Sequence, residues 1–397
     1  MGHAETSDAI AMNPFYPPFR AIDSAVNAVL FATGLIGLRR SRIDGPPKKV
    51  LIARYDMIGD FVLFTASLPL YRALFKEARL VLLVRDSVFE IARHAPYVDE
   101  VWKIPNKLFR FNPLERIKWF RRMRNFGFDL AISTVYSTSW VHLDCLVGWT
   151  YAPRRVAHEC LDPKSPRAGK QLYFTELVTA QGAWKFTIDR DHDLLAYLGF
   201  KGKPNRRTEI HLGDPDRRRV EALIPQGRYA IVVPGARSAI RRWGADKFVE
   251  AIGRSESRMD VQWVLCGDRR ERGLCESIRV ELASRSIEAV NMAGRTSLVE
   301  LCTLIEHAEL FLGNETGPLH MAIALGIPAV GLTGGGMFGI CFPYPDNPLA
   351  IPVTNRLPCY GCRWHCILDQ PECITNIRAE DVVDAMARIR GPGGTHA

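Results

Sequence analysis

The sequence lacks the cysteine density of a disulfide-rich protein and has no apolar run long enough to cross a bilayer. Ten cysteines in 397 residues are too few for a disulfide scaffold, so we expect a reducing, cytoplasmic compartment. The apolar segment 25–38 would span about 21 Å as a helix, less than the roughly 30 Å hydrocarbon core of a membrane. With 47% hydrophobic and 24% charged residues, the composition excludes a disordered chain, a collagen-like repeat and a polytopic membrane protein.

Common catalytic signatures are also missing. There is no Walker A lysine loop, no H-E-x-x-H helix, no G-x-S-x-G elbow and no paired-histidine zinc finger. A strict G-x-G-x-x-G does not follow the first predicted strand, which argues against a nicotinamide dehydrogenase.

The charge balance is moderately basic. Lysine and arginine number 52 against 43 aspartates and glutamates, for a net charge of +9. This surplus fits anionic partners such as nucleotides, phosphorylated acceptors, membrane headgroups or nucleic acid, and it does not choose among them. No nucleic-acid-binding module is recognisable, so we expect no nucleic-acid partner.

Residues 1–47 form an N-terminal extension that contains the apolar segment 25–38. The start of the chain lacks the basic region and cleavage site of a secretory signal. Two interpretations of the segment stay open: a helix packed on the body of the protein, or an interfacial helix on the inner membrane face.

From residue 48 onward, apolar runs alternate with amphipathic stretches. Two such series are joined by a linker at 201–207, so we expect an α/β protein with two doubly wound parallel sheets facing a cleft. The domain boundaries are predicted at 48–205 and 206–397. Strands are predicted over 50–54, 80–84, 98–104, 128–135, 229–233, 261–266, 287–292, 309–312 and 329–332. Ligands of such folds lie at the carboxyl ends of strands, where the motifs below occur.

The first motif, residues 54–60, follows the first strand and leads into a helix predicted over 61–75. Gly59 allows a sharp turn and close backbone approach. Asp60 then reaches a helix N-terminus within the predicted cleft. The alternative is that Asp60 merely caps that helix.

The second motif, residues 312–320, runs from a strand directly into a helix. Its N-terminus predicts an anion site, with Thr316 and Gly317 at the turn and His320 one turn further. Glu315 is a candidate for binding sugar hydroxyls. The alternative is a structural loop with Pro318 in the first helical turn.

The third motif, residues 233–243, again lies between a strand and a helix. Arg237, Arg241 and Arg242 are candidates for charge-assisted hydrogen bonds to a diphosphate, with a solvated basic turn as the alternative. After the next strand, Gly267 and Glu271 are candidates for binding the donor, and a carboxylate at this strand end is a candidate for holding ribose hydroxyls.

The fourth motif is a cysteine cluster with the spacing C-x2-C-x3-C-x6-C. It contains Cys359, Cys362, Cys366 and Cys373. A structural zinc site, packed reduced thiols and a disulfide among the four all stay open, since the short second arm departs from common zinc spacings. We expect no catalytic role for them.

Together these motifs resemble glycosyltransferase family 9, the heptosyltransferases of the lipopolysaccharide core. The resemblance covers about residues 48–390 and includes the Gly-Asp turn, PGA…RRW, NMAGRTSLVEL and GNETGPLHMAIALGIPAVGL. It implies a GT-B fold of two Rossmann-like domains, with the acceptor on the N-terminal one and the nucleotide-sugar donor on the C-terminal one.

The resemblance also implies an inverting, metal-independent transfer with no required cofactor. Asp60 matches the general base and Arg241 a catalytic basic residue, while Glu315, Thr316 and Gly317 match the turn that holds the donor sugar and diphosphate. The expected donor is ADP-heptose or a similar nucleotide sugar. The expected acceptor is a hydroxyl of a lipopolysaccharide-core-like or other glycan.

Two alternatives remain: a nucleotide-sugar 2-epimerase of the same fold, and a non-catalytic nucleotide-sugar-binding protein. The basic stretch 103–124 has eight lysines and arginines against one acid. It is either a solvated helix or a contact for a phosphorylated lipid acceptor and the membrane surface. We therefore expect a cytoplasmic protein with a possible peripheral position on the inner membrane.

Overall fold

The computed structural model describes residues 45–105, 113–136, 141–159, 173–179, 185–213 and 225–390, with Val29, Leu108 and Arg218 as single residues. The predicted extension 1–47 and its apolar helix therefore lie almost entirely outside the described residues. Within the described part of the chain, no helix is both long and apolar enough to cross a membrane.

The first sheet is built from apolar runs that alternate with helices along the chain. Its strands are β1 Lys49–Arg54, β2 Arg79–Arg85, β3 Glu100–Ile104, β4 Leu130–Ser133, β5 Arg154–His158 and β6 Glu176–Val178. They are parallel, in the order β3-β2-β1-β4-β5-β6. Ile52 of β1 lies opposite Leu82 on one side and Ile132 on the other. This central strand is buried from Val50 to Arg54, which is typical of a parallel sheet covered on both faces.

The second sheet repeats this plan. Its strands are β7 Tyr229–Val233, β8 Gln262–Leu265, β9 Ala289–Asn291, β10 Leu310–Asn314, β11 Ala329–Leu332 and β12 Ala350–Val353. All pairs are parallel, in the order β12-β11-β10-β7-β8-β9. The expectation of an α/β protein with two doubly wound parallel sheets is confirmed.

Helices connect the strands of both sheets. In the first part of the chain they are α1 Ile58–Thr65, α2 Leu68–Leu74, α3 Asp86–Ala92, α4 Pro113–Phe126, α5 Val141–Gly148 and α6 Thr187–Tyr197. In the second part they are α7 Ala245–Ser255, α8 Arg272–Ser284, α9 Leu298–Glu306, α10 Gly317–Ala324, α11 Glu372–Thr375 and α12 Ala379–Arg390. Local sequence sets several of their ends; for example, Ser297 and Glu300 form a capping box at the start of α9.

Amphipathic helices pack against the second sheet and form a hydrophobic core with it. In α7 the residues Phe248, Val249, Ala251 and Ile252 are buried, and their spacing puts them on one face. They join a cluster that includes Trp243 and Trp263 together with residues of the sheet. This packing holds the loops at the carboxyl ends of β7, β8 and β10.

The chain divides into two compact units whose boundaries interleave in sequence. One comprises the described residues within 1–56, 72–89 and 98–180, and the other those within 57–71, 90–97 and 181–397. The first sheet belongs to one unit and the second sheet to the other. Helix α1, which begins just after β1, belongs to the unit of the second sheet. The domain boundaries at 48–205 and 206–397 remain a prediction.

Several elements differ from the sequence-based expectation. The helix predicted over 61–75 is two helices, α1 and α2, separated at Ala66 and Ser67. Between residues 136 and 200 the apolar pattern predicted no elements, yet β5, β6, α5 and α6 lie there. Strand β5 has the sequence RRVAH. Because three of its five side chains are polar, it does not form the apolar run that predicts a buried strand.

Candidate active site

The candidate site lies at the point where the order of the second sheet reverses. Strands β7 and β10 are neighbours there, and the connections that follow them lead toward opposite edges of the sheet. Ligands of doubly wound folds bind at such a switch point, outside the carboxyl ends of the strands. The two loops that leave this point are residues 234–244 after β7 and the turn from Asn314 into α10.

Glu315 begins the turn after β10 and is only 4% exposed. Its main-chain N–H donates to the Leu332 carbonyl over 2.9 Å, which continues the pairing with β11. The Thr333 hydroxyl donates to Oε2 over 3.1 Å. Burial raises the pKa of the Glu315 carboxyl, while the Arg241 charge and the Thr333 hydrogen bond act in the opposite direction. This carboxyl is therefore held by the protein and desolvated.

Arg241 ends a 3₁₀ turn, Ala239–Arg241, in the loop after β7. One guanidinium nitrogen, Nη2, donates to the main-chain oxygen of Glu315 and lies 3.4 Å from its Oε1. The side chain keeps 28% of its surface exposed, so it can still reach a ligand. Its guanidinium carbon lies 5.1 Å from the centre of the Trp364 ring.

Helix α10 begins at the turn where the sequence predicts an anion site. Thr316 is its N-cap residue, and Pro318 lies in the first turn, where the missing N–H removes no helical hydrogen bond. The Thr316 hydroxyl donates to the Asn314 carbonyl over 3.2 Å rather than capping the helix. The positive end of the helix dipole therefore lies beside Glu315 and Arg241.

Helix α1 brings Asp60 to this group. Gly59 packs so closely on α10 that an added Cβ would lie 2.9 Å from Cδ2 of His320, and one at Gly317 would lie 3.2 Å from Cγ2 of Ile58. Asp60 is half-buried in the first turn of α1, and its charge contributes to the raised pKa of Glu315.

The structure shows where the residues of the motif 54–60 lie at the start of α1. Met57, not Asp60, occupies the N-cap position of α1, so the interpretation of Asp60 as the helix cap is wrong. Gly59 is a helical residue with no positive φ, and the feature that requires glycine is its close approach to α10.

His320 is buried against Tyr344, with 3.1 Å between its Nδ1 and the phenolic oxygen. Burial, followed by the charge of Arg241, lowers the pKa of His320 to about 3. A neutral imidazole can give a hydrogen bond to an anion but brings no positive charge to it.

The other predicted donor residues lie around the ends of β7 and β8. The Glu271 carboxylate covers two glycines, since an added Cβ would fall 2.0 Å from it at Gly235 and 2.7 Å from it at Gly267. Arg242 is exposed, and its Nε donates to the Ala236 carbonyl over 2.8 Å. Arg237 lies with Nη1 3.8 Å from the Met57 sulfur. The structure thus gathers the predicted residues at adjacent strand ends.

Sequence reasoning missed Asn314, the last residue of β10. Its side-chain amide donates to the Pro234 carbonyl over 2.7 Å, and its Oδ1 accepts from the Trp243 N–H over 3.1 Å. These bonds tie the arginine loop to the strand that carries Glu315. The available signal in the sequence was a polar residue at the end of the apolar run LFLGN.

The cysteine cluster is a set of free thiols in the structure. Cys373 is buried, and the Cys366 thiol lies 3.7 Å from the Gln370 carbonyl. Among the described residues, no three side chains of the His, Cys, Asp or Glu type are arranged to hold a metal ion. The zinc interpretation is not confirmed and stays a prediction, and no disulfide links the four.

Comparisons with known proteins show which family the chain belongs to. The family model described as "Glycosyltransferase family 9 (heptosyltransferase)" matches residues 155–363, which is more than half of the chain. Lipopolysaccharide heptosyltransferase 3 of Escherichia coli strain K12 is 24% identical over 344 residues, covering 83% of this chain and 95% of that protein.

Solved structures share the fold. The family 9 glycosyltransferase of Veillonella parvula superposes with a TM-score of 0.68 at 16% identity, covering 86% of this chain and 97% of that one. The E. coli heptosyltransferase WaaC with ADP-2-deoxy-2-fluoro heptose gives a TM-score of 0.61 at 16% identity, with 85% and 100% covered. The two-sheet GT-B architecture is common to them. By the extent of the family match, the chain belongs to glycosyltransferase family 9 and is a glycosyltransferase.

Proposed function

We propose that this enzyme transfers heptose from ADP-heptose to a hydroxyl of a lipopolysaccharide-core-like acceptor, with inversion at the anomeric carbon. The observation that carries the proposal is the grouping of Asp60, Arg241 and the desolvated Glu315 at the N-terminus of α10. Such a group offers a base, a cation and a helix dipole in one place. These are the elements that transfer from a sugar diphosphate requires.

In the proposed reaction, the acceptor oxygen attacks the anomeric carbon. The hydroxyl proton passes to the Asp60 carboxylate, a new carbon–oxygen bond forms, and the bond to the diphosphate breaks. The electron pair of that bond leaves with ADP, so negative charge grows on the diphosphate. Arg241 and the α10 N-terminus stabilise this charge, and Glu315 holds Arg241 in place.

Two observations support ADP-heptose as the donor: the position of the Glu271 carboxylate and the names of the relatives. The Glu271 carboxylate at the ends of β7 and β8 is suited to ribose hydroxyls, as acidic residues are in other nucleotide folds. The relative in E. coli is named a lipopolysaccharide heptosyltransferase, and the WaaC structure holds an ADP-heptose analogue. Arg237 and Arg242 are proposed as further contacts to the diphosphate.

The acceptor is proposed to be a lipid-linked glycan met at the cytoplasmic face of the inner membrane. On α4, Leu114, Lys118 and Arg121 recur at helical spacing and are exposed, Leu114 at 71%. An apolar side chain beside basic ones suits a surface of anionic headgroups. Replacing Lys118 and Arg121 by glutamate should reduce cosedimentation with anionic vesicles and leave binding to neutral vesicles unchanged; equal binding by both proteins would contradict membrane contact.

The central test replaces Asp60 by asparagine. We expect a loss of about 10²- to 10⁴-fold in transfer, because a positioned general base contributes that much, with nucleotide affinity retained. Asp246→Asn is the matched control, since Asp246 also lies in the first turn of a helix but on the surface of α7. Near-normal transfer by a folded Asp60→Asn protein would contradict the mechanism.

A second assay separates the transferase from the epimerase alternative. The enzyme is incubated with ADP-heptose alone and then with a heptose-deficient lipopolysaccharide acceptor. The proposal expects a glycosylated acceptor and free ADP only in the second case. An altered sugar nucleotide formed without acceptor would favour epimerisation.

A further inference from the structure

The segment that contains the cysteine cluster packs onto three consecutive glycines after β11. An added Cβ would lie 2.9 Å from the Cys373 sulfur at Gly334, 2.4 Å from the Tyr360 ring at Gly335, and 2.3 Å from the Trp364 ring at Gly336. Real Cβ atoms do not approach so closely, so each glycine leaves space for one side chain. The cysteine segment is thus seated on the loop that leaves β11.

The backbone at Trp364 is held in an uncommon conformation. Arg363 has φ 51° and Trp364 has φ 65°, the left-handed region that non-glycine residues rarely adopt. Main-chain bonds to the glycine loop support it: the Arg363 N–H donates to the Gly336 carbonyl over 3.0 Å, and the Gly361 N–H to that of Gly335 over 2.8 Å. Such conformations persist where the surroundings determine them, and they cluster at functional sites.

The indole placed in this way meets the cation of the candidate site. The guanidinium carbon of Arg241 lies 5.1 Å from the centre of the Trp364 ring, within the range of a cation–π contact. The same guanidinium is bound by Glu315 through its main-chain oxygen and carboxylate. Arg241 is therefore fixed by a hydrogen-bonding partner and by an aromatic ring together.

We propose that Trp364 is a positioning residue for Arg241, and that the cysteine segment serves to present its indole ring to the diphosphate site. This inference rests on the proposed function, in which Arg241 stabilises the departing diphosphate. A guanidinium fixed before substrate binds needs no reorganisation as charge grows. Trp364 should therefore affect kcat more than the KM for the nucleotide sugar.

The test compares Trp364→Leu with Trp364→Phe in the full-length enzyme. Leucine removes the aromatic face and should lower kcat by about three- to thirtyfold, the range expected for a cation–π contact, while KM changes less than kcat. Phenylalanine keeps a ring and should restore most of the loss. Ile367→Ser, at an 80% exposed position of the same segment, is the control and should change neither parameter.

Two outcomes would overturn the inference: full activity of Trp364→Leu, or equal loss in the leucine and phenylalanine variants. A double-mutant cycle with Arg241→Gln, which removes the cation, guards against a purely structural effect. Since the indole acts through the positive charge of the guanidinium, Trp364→Leu should cost much less in the Arg241→Gln background; additive losses would also overturn the inference.

The Arg241→Ala variant distinguishes this inference from the proposed function. Full transfer by Arg241→Ala would remove the proposed role of Arg241 in the reaction. An inactive Arg241→Ala protein beside a fully active Trp364→Leu protein would leave the proposed function standing and reject only the role of the indole.

Discussion

Replacing Gly59 by alanine should separate the stability of this enzyme from its activity. The added methyl would lie 2.9 Å from Cδ2 of His320, whereas carbon atoms in contact prefer about 3.5–4.0 Å. The imidazole cannot move aside easily, because it is buried and bound to Tyr344. Helix α1 must therefore move away from α10 by about 0.6–1 Å, and it carries Asp60 with it.

The expected stability change is small because two effects oppose each other. Overpacking lowers the free energy of unfolding by about 1–3 kcal/mol. Alanine in place of glycine within a helix raises it by about 1 kcal/mol. The net loss is then about 0–2 kcal/mol. The activity should fall much further, since a displacement of about 1 Å at a reacting group can cost about 10²-fold.

The measurement pairs urea unfolding with steady-state transfer from ADP-heptose. Gly273→Ala is the matched control, because Gly273 is also helical, in α8, and no atom lies within 4 Å of its added Cβ. That variant should gain stability and keep full activity. Unchanged kcat/KM in Gly59→Ala would refute the argument that the close approach of α1 to α10 positions Asp60.

Three further predictions follow from the same site. Asn314→Ala should destabilise the protein by about 2–5 kcal/mol, since it leaves the Trp243 N–H and the Pro234 carbonyl buried without that partner; urea titration measures this. The pKa of His320 is lowered to about 3 in the folded protein, so the unfolded chain binds the extra proton between about pH 6.5 and pH 3. Stability should then fall as the pH is lowered through this window, and His320→Gln should reduce the slope by about 1.4 kcal/mol per pH unit; equal slopes would contradict it. ADP at a hundred times its Kd should add about 2.7 kcal/mol, seen as a higher Tm, and an equal shift with UDP at the same concentration would contradict the choice of ADP.

The parts of the fold that the sequence predicts best are those with a strong local signal. The buried run Tyr229–Val233 forms its strand at the predicted residues, because a strand covered on both faces is apolar throughout. The strand Arg154–His158 was missed, although Val156 and Ala157 are buried and Arg155 and His158 are fully buried too. Polar side chains held inside a core depend on partners distant in sequence, which no local pattern reveals.

In the candidate site, too, some residues are predicted by the local sequence and others depend on residues distant in the chain. Asp60 lies in the first turn of α1, and Arg241 and Glu315 lie between a strand and a helix, where an α/β fold places ligand-binding groups. Trp364 was not predicted, since its position depends on a left-handed backbone and on a glycine twenty-eight residues earlier. Asn314 was not predicted for a similar reason, because its hydrogen-bond partners Pro234 and Trp243 lie 80 and 71 residues away.

The assignment of α1 to the unit of the second sheet has a consequence for dissecting the enzyme. The polypeptide passes back and forth between the two units before residue 181, so a gene cut near residue 205 would not release a self-sufficient half. A fragment starting at 206 would lose Ile58 and Gly59, which fill the space beside Gly317, and would expose apolar surface on α10 to solvent. We expect two fragments of this protein to fold when they are coexpressed, and neither fragment to fold alone.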